Sequence, residues 1–593
     1  MANTETTTDL PTWDLGDLYA GPDAPAITRD LDDAQAATTT FGQQFQGKIS
    51  SLSPSDFAAA ITRYEEIQEA LGRVGSYAQL LHAGDLTDPA IAKFAQDIRE
   101  RLNAISMDLI FFTLEINRLD DGLLKDLLTG AADKYRPWID NVRAHREHEL
   151  ADDVEKLFHE KAVTSSGGWS RLFDETLAAS RYDVGAEQLT LEETLNRLSS
   201  PDRERRRLAA GALAATFEKN ATLFALITNI LAKDKEIEDR WRHFSEPAAS
   251  RHLANLVEPE VVNALEAAVV DSYERTAHRY YALKSRWLGV DQLEHYDRNA
   301  PLPEAEERLI PWDDARNTVL DAYGRFSDDL RQVGTKFFDN AWIDAQPRAG
   351  KAPGAFAHPT VTSAHPYLLL NYQGKVRDVM TLAHELGHGV HQILAGPNGA
   401  LMADTPLTLA ETASVFGEQL VFRALLDAED DPARRRHMLA SKVEDMINTV
   451  VRQIAFYRFE KVVHNARADG ELTLSRLGDI WLETQTESLG PAIHLGSDYR
   501  NYWSYIPHFI HSPFYVYAYA FGDCLVNALY AVFQESESGF QDRYLDMLRA
   551  GGTKRHDDLL APFGLDASDP AFWQRGLDLI SGFIDDLEKM DAR

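Results

Sequence analysis

Apolar residues recur at spacings of three and four through residues 26–47, 55–83, 88–118, 134–160 and 202–242, with charged faces between them. That period lines them along one side of a helix and does not fit the strict alternation of a half-buried strand. A chain patterned this way over so much of its length folds as a mostly α protein. Gly84 within HAGDLTDP and the Ser-Ser-Gly-Gly run at 165–168 punctuate the pattern, and no repeat of solenoid period shows. The stretch RYDVGAEQLT (181–190) has strand character, and Ser199-Ser200-Pro201 followed by Asp202 opens a strongly charged helix. These signals place a boundary near residue 196. They divide the chain into an N-terminal helical domain, 1–195, and a second domain, 196–593.

The net charge is −33 over 593 residues. So acidic a surface repels nucleic acid and anionic membrane, and neither is expected as a partner. Cys524 is the single cysteine, which excludes an internal disulfide and every Cys-rich metal or iron–sulfur site and suits a reducing compartment. The start, MANTETTTDLPTWDLGDLY, carries no basic and apolar leader pattern, so a cytoplasmic protein is expected. The weakly charged run Ser512–Phe533 is long enough for a bilayer. It contains Pro513, Gly522, Asp523 and Asn527, and the cost of Asp523 in lipid favours a buried helix.

The chemistry concentrates after residue 344. Residues 344–366 are rich in Pro, Gly and Ala and read as a long loop, of the kind that is usually functional or mobile. The strand-length run YLLLNYQ (367–373) follows, and then a helix from about Val379 to Ala395, with Asp378 as its cap and Gly396 at its end. That helix holds His384-Glu385-Leu386-Gly387-His388. Residues four apart lie on one helix face, about 6 Å apart along the axis, so His384 and His388 are able to share one tetrahedral zinc. Glu385 sits beside them, in reach of a metal-bound water as general base. Gly387 and Gly389 each cost about 1 kcal/mol relative to Ala in mid-helix, which points to something approaching the backbone closely there.

A catalytic zinc takes a third protein ligand and keeps one position open. His391 lies about 10 Å along the axis from His384, too far for one straight helix to wrap all three imidazoles around an ion, so a supporting or cleft role is expected for it. Glu411 is the better candidate. It lies in the next helix, 405–426, capped by Thr405 with Pro406 in the first turn, where nearly every face is apolar or small. A lone carboxylate buried there needs a cation. Glu418, one similar face further on, either supports a ligand imidazole or is an ordinary buried carboxylate. The ligand types also suit manganese or cobalt.

Near the end, YWSYIPHFIHSPFYVYAYAFG (502–522) gathers two histidines and several tyrosines. Their N–H and O–H groups suit a developing oxyanion, and an aromatic core is the competing reading. YLLLNYQ is able to act as an edge strand pairing with an extended peptide, or is simply structural.

HELGHGVHQ followed 23 residues after His388 by the Glu of LAETASVFGE resembles the oligoendopeptidase F branch of the thimet-oligopeptidase-like zinc metallopeptidases. WDLGDLYAGPDAPAITRDL, SSPDRERRRLAAGAL, YDRNAPLP (296–303), HPYLLLNYQGKVRDV and IPHFIHSPFYVYAYAFG extend the resemblance over nearly the whole chain. It implies a helical bowl or clamshell with a deep substrate channel and a small β-sheet beside the active site, and makes 196–593 the catalytic domain. It implies one zinc per chain on His384, His388 and Glu411, with Glu385 as catalytic base. It implies that His508 and tyrosines here bind the tetrahedral intermediate; Tyr515 and Tyr517 are carried over, with Tyr519 as a substitute, because HSPF stands where some branches have a Gly-rich loop. It also implies short unstructured peptides as substrates. The expected activity is hydrolysis of internal peptide bonds by Glu-assisted attack of a zinc-bound water. The alternatives are a zinc carboxypeptidase, which needs an arginine or lysine for the substrate's terminal carboxylate that the sequence does not single out, and a non-catalytic helical scaffold.

Overall fold

The computed structural model describes residues 10–302, 309–535 and 538–591. The Thr-rich start and the last residue of the 296–303 stretch lie outside the described residues. Helices dominate, and the few strands form small sheets, as the periodicity requires. The chain divides into two compact units, one built from 1–146, 307–428 and 533–564, the other from 147–306, 429–532 and 565–593. Both halves of the expected division at residue 196 therefore contribute segments to both units. A local punctuation signal marks the start of a helix and does not report which units the flanking segments join.

In the first unit, Ser53 and Asp88 cap helices Pro54–Gly84 and Pro89–Met107, each with proline in its first turn, where the missing N–H costs nothing. Helix Pro25–Phe45 buries Ile27, Leu31, Ala34, Thr38 and Phe41, alternating steps of four and three. Ile27, Leu31, Ala34 and Phe41 join Phe57, Ile61, Ile67 and Leu71 in one core. Each such large side chain, fully removed from water, contributes about 1.5–3 kcal/mol before entropy is counted.

The sheet of this unit corrects one expectation. Tyr367–Leu369, the start of YLLLNYQ, is its middle strand, parallel to Ile343–Asp344 on one side and antiparallel to Phe356–His358 on the other. All three of its residues are buried, as an unbroken apolar run suits an inner strand. The edge is Phe356–His358, inside the stretch expected to be loop; three residues are too few to show a strand period.

A buried ion cluster pins that stretch to the sheet. Lys351 Nζ donates to the Asp344 carboxylate at 2.8 Å and to the carbonyls of Leu370 at 2.7 Å and Asp344 at 3.0 Å. Arg348 grips both oxygens of the same carboxylate, each at 2.7 Å. Lys351 and Asp344 are fully buried.

In the second unit, Asp202 accepts the Glu204 N–H and caps Arg203–Trp241, the charged helix expected there. RYDVGAEQLT forms an antiparallel hairpin, Tyr182–Val184 with Glu187–Leu189, turning at Gly185 with φ +63°. Helix Tyr517–Glu535 occupies the weakly charged run and buries Asp523 and Asn527, which are hydrogen-bonded at 2.9 Å. Among the described residues no helix is long and apolar enough to cross a membrane.

Replacing Asp344 by Asn leaves Lys351 buried without its anion. This is expected to cost about 3–5 kcal/mol of unfolding free energy in a denaturant titration; a loss below about 1 kcal/mol would show that the cluster does not hold the loop.

Candidate metal centre

The helix carrying the histidines spans Val376–Ala395 and ends at Gly396. It starts three residues before the expected Val379. Asp378 lies in its first turn and reaches back to accept the N–H groups of Gln373 at 2.8 Å and Lys375 at 3.0 Å. Val379, Leu382, Ala383, Leu386 and Val390 are buried. Tyr323 donates its hydroxyl to the Ala383 carbonyl at 2.7 Å, fixing the turn that presents His384.

The mid-helix glycines mark close approaches. A Cβ on Gly387 would lie 2.5 Å from the Ala413 carbonyl oxygen and 2.6 Å from Ser414 Cα. The backbone of the next helix, Leu407–Ala428, therefore rests on Gly387. A Cβ on Gly389 would lie 2.6 Å from the Phe337 ring. The first contact sets Glu411, two residues ahead of Ala413, beside the imidazoles.

The donor atoms form a nearly equilateral triangle. His384 Nε2 and His388 Nε2 are 3.2 Å apart, and Glu411 Oε2 lies 3.5 Å from the first and 3.6 Å from the second. A tetrahedral site with bonds of 2.0–2.1 Å has edges of about 3.3–3.4 Å, so this donor set fits a zinc-sized ion. The three side chains keep 26%, 20% and 29% of their surface exposed, so the donors are not sealed from solvent. Among the described residues these three are the group with metal-ligand spacing.

Supporting contacts orient the donors. Glu418 Oε1 lies 2.6 Å from His384 Nδ1, which puts the proton on Nδ1 and leaves the Nε2 lone pair facing the triangle. His388 is held by a hydrogen bond to the Ala410 backbone. Ser414 donates to Glu411 Oε2 at 2.6 Å. Glu385 is buried, and the edge strand turns the Ala357 N–H towards its carboxylate. His391 is buried in the core, near the Thr405 hydroxyl at 3.4 Å, and is not part of the group.

Electrostatics agree with a cation site. Burial opposes charge on His384, but the Glu418 hydrogen bond and the charges of Glu418, Glu411 and Glu385 outweigh it and push its pKa up to about 9. Burial, with the adjacent His384, pushes His388 down to about 4 against the pull of the carboxylates. Burial, reinforced by Glu411 and Glu418 and opposed by His384, lifts Glu385 to about 7. Three acids around two imidazoles form a pocket that favours positive charge.

The aromatic–histidine segment lies in the other unit. His508 Nε2 is 3.1 Å from the Tyr519 hydroxyl, and its ring lies over Tyr515 with centroids 6.0 Å apart. Tyr517 is not brought to this group. Its ring is fully buried, and its hydroxyl meets Asn255 Nδ2 at 2.8 Å and His252 Nδ1 at 3.2 Å. Tyr519, two residues on, is the exposed member. The turn before it is held by a residue that sequence reasoning missed. Phe514 takes φ +60°, where glycine would be unstrained, and the buried Glu460 accepts its N–H at 2.8 Å. No local pattern marks Glu460, because its partner lies 54 residues away.

The sequence model for peptidase family M3 matches residues 197–579, more than half of the chain, and the one for oligopeptidase F matches residues 115–182. The chain belongs to peptidase family M3. It is a metalloendopeptidase, of a family that acts on oligopeptides. This M3 peptidase is 25% identical to oligopeptidase PepF of Bacillus subtilis, over 98% of the chain and 87% of that protein. It is 24% identical to an oligoendopeptidase F homolog of Borreliella burgdorferi over the full length of both. It shares its fold with a putative peptidase from Chlamydophila abortus (TM-score 0.86, 22% identity, 98% of each chain). The oligoendopeptidase-F of Enterococcus faecium is also similar (TM-score 0.70, 20% identity, 95% of this chain and 99% of that one).

Replacing Gly387 by Ala drives a methyl into the backbone of the helix bearing Glu411. The M3 peptidase is then expected to lose about 1–3 kcal/mol of stability and about tenfold or more in zinc affinity, read by melting and by competition with a chelating dye. Unchanged affinity would show that this contact does not set the donor triangle.

Proposed function

We propose that this M3 peptidase hydrolyses internal bonds of short, unstructured peptides with one zinc ion held by His384, His388 and Glu411. The observation that carries this reading is the triangle of donor atoms with edges of 3.2, 3.5 and 3.6 Å, partly exposed, with Glu385 beside it. When bound, zinc polarises the scissile carbonyl and lowers the pKa of water at the site towards about 7. Glu385 takes the proton from the attacking water and passes it to the leaving amine, work typically worth about 10²–10⁴ in rate. Glu418 holds His384 by its Nδ1–H and so keeps Nε2 directed at the ion. By the family resemblance, His508 with Tyr515 and Tyr519 donates hydrogen bonds to the oxyanion. The hydroxyl of Tyr517, engaged with Asn255, is left out of that role.

The edge strand Phe356–His358 presents backbone groups to an extended peptide, and its Ala357 N–H is turned to Glu385. A substrate paired there lies along the sheet edge that borders the base. The net charge of −33 keeps nucleic acid and anionic lipid from serving as partners. The single, buried cysteine suits the cytoplasm.

The test is a mass-spectrometric digest of short peptides and one folded protein by zinc-loaded wild type and by Glu385→Gln, with zinc content measured in both. Wild type is expected to cut the peptides internally and spare the folded protein, while Glu385→Gln keeps its zinc and loses at least about 10² in rate. Equal cleavage by both proteins, or removal of single C-terminal residues alone, would overturn the reading.

A further inference from the structure

Arg298 and Arg452 of the second unit form no close ion pair with a carboxylate among the described residues. Arg298 follows the short helix His295–Asp297, and Arg452 lies in the first turn of helix Val451–Asp469. Arg298 Nε donates to Asn299 Oδ1 at 3.3 Å, and Arg452 Nη2 meets the Tyr505 hydroxyl at 3.5 Å. Arg452 also covers the Phe456 ring at 4.9 Å, and its Nε is buried with no hydrogen-bond partner. The acids nearby are already taken. Asp297 is clamped by Arg203 and Arg206, each at 2.8 Å. Glu444 is bound by Lys284 at 2.7 Å and by the Tyr280 hydroxyl at 2.8 Å.

The charge of Arg298 acts on Arg452, the same three tyrosines, Tyr281, Tyr499 and Tyr505, act on both, Tyr499 is hydrogen-bonded to Arg298, and Glu444 also acts on Arg298. The Tyr281 hydroxyl is buried and has no partner, while Arg298, Arg452 and Tyr505 keep part of their surface open. Two neighbouring guanidinium charges with a buried, unsatisfied hydroxyl near them are costly unless an anion meets them. This group adjoins the aromatic–histidine segment: Tyr505 is three residues from His508, and the charge of Arg452 reaches that imidazole.

We infer that Arg298 and Arg452, with the hydroxyls of Tyr281, Tyr499 and Tyr505, form a subsite for a carboxylate of the peptide substrate. The inference rests on the reading above that the segment containing His508 faces the substrate. Guanidinium forks match a planar carboxylate, and every oligopeptide carries one at its C-terminus; an acidic side chain offers the same chemistry.

The test measures binding, so that it does not depend on turnover. Zinc-loaded Glu385→Gln protein is titrated calorimetrically with three peptides: one ending in a free carboxylate, its C-terminal amide, and the amide with an internal Glu. The free acid is expected to bind about tenfold or more tightly than the amide, the range for charge-assisted hydrogen bonds. Adding Arg298→Gln or Arg452→Gln is expected to bring that ratio close to one. Tight binding of the Glu-containing amide would assign the subsite to an acidic side chain. Equal affinity for all three peptides, or a ratio unchanged in both arginine variants, would overturn the inference. Where a Gln variant does not fold, Arg452→Lys keeps the charge and loses the fork, and an undiminished ratio in it would count against the guanidinium pair. Kinetics of His508→Ala separate the two readings: a silent substitution removes the catalytic reading of the segment and leaves the acid-to-amide ratio standing on its own.

Discussion

The contact of Gly387 with the backbone at Ala413 and Ser414 is the constraint on which the site depends. Two helices approach closely enough only where one of them has no side chain, with the Gly387 Cβ position 2.5 Å from the Ala413 carbonyl. Within about a turn of that contact stand the residues that matter: His384 and His388 on the first helix, Glu411 and Glu418 on the second. Glu411 closes the donor triangle and Glu418 orients His384 because both project from a backbone held at this separation. Propensity alone disfavours Gly387 by about 1 kcal/mol.

Charge follows from this packing. Three carboxylates, Glu385, Glu411 and Glu418, act on the adjoining imidazoles, so the cluster favours positive charge. The sheet contributes from the other side. Its middle strand Tyr367–Leu369 is buried, and the edge strand Phe356–His358 reaches Glu385 through Ala357. The edge strand in turn is part of a stretch fastened by Asp344, Arg348 and Lys351. Residues in no contact with the donors thus set where Glu385 sits.

Much of this was legible in the amino-acid order because it is local. The spacing of His384 and His388, the capping run into Arg203–Trp241 and the odd glycines of the histidine helix each depend on neighbours within a turn or two. Glu411 was legible as a carboxylate stranded on an apolar helix. What depends on distant partners was not. YLLLNYQ reads equally well as an edge or a middle strand, since the three-residue partner Phe356–His358 carries no period of its own. Tyr515, Tyr517 and Tyr519 are alike in sequence, and only the helix start at Tyr517 decides that its ring enters the core while Tyr519 stays beside His508. Glu460, Arg298 and Arg452 belong to no motif; their surroundings are assembled from segments far apart in the chain. The interleaving of the two units is a long-range property of the same kind.

The central claim is that His384, His388 and Glu411 hold one zinc ion. Crystals of the zinc-loaded protein, with diffraction recorded on both sides of the zinc absorption edge, test it most directly. The account predicts a single strong anomalous peak per chain, within about 2.0–2.2 Å of His384 Nε2, His388 Nε2 and a Glu411 carboxylate oxygen. A peak bonded to a different set of residues, or no ordered zinc at this triangle in the loaded protein, would contradict it.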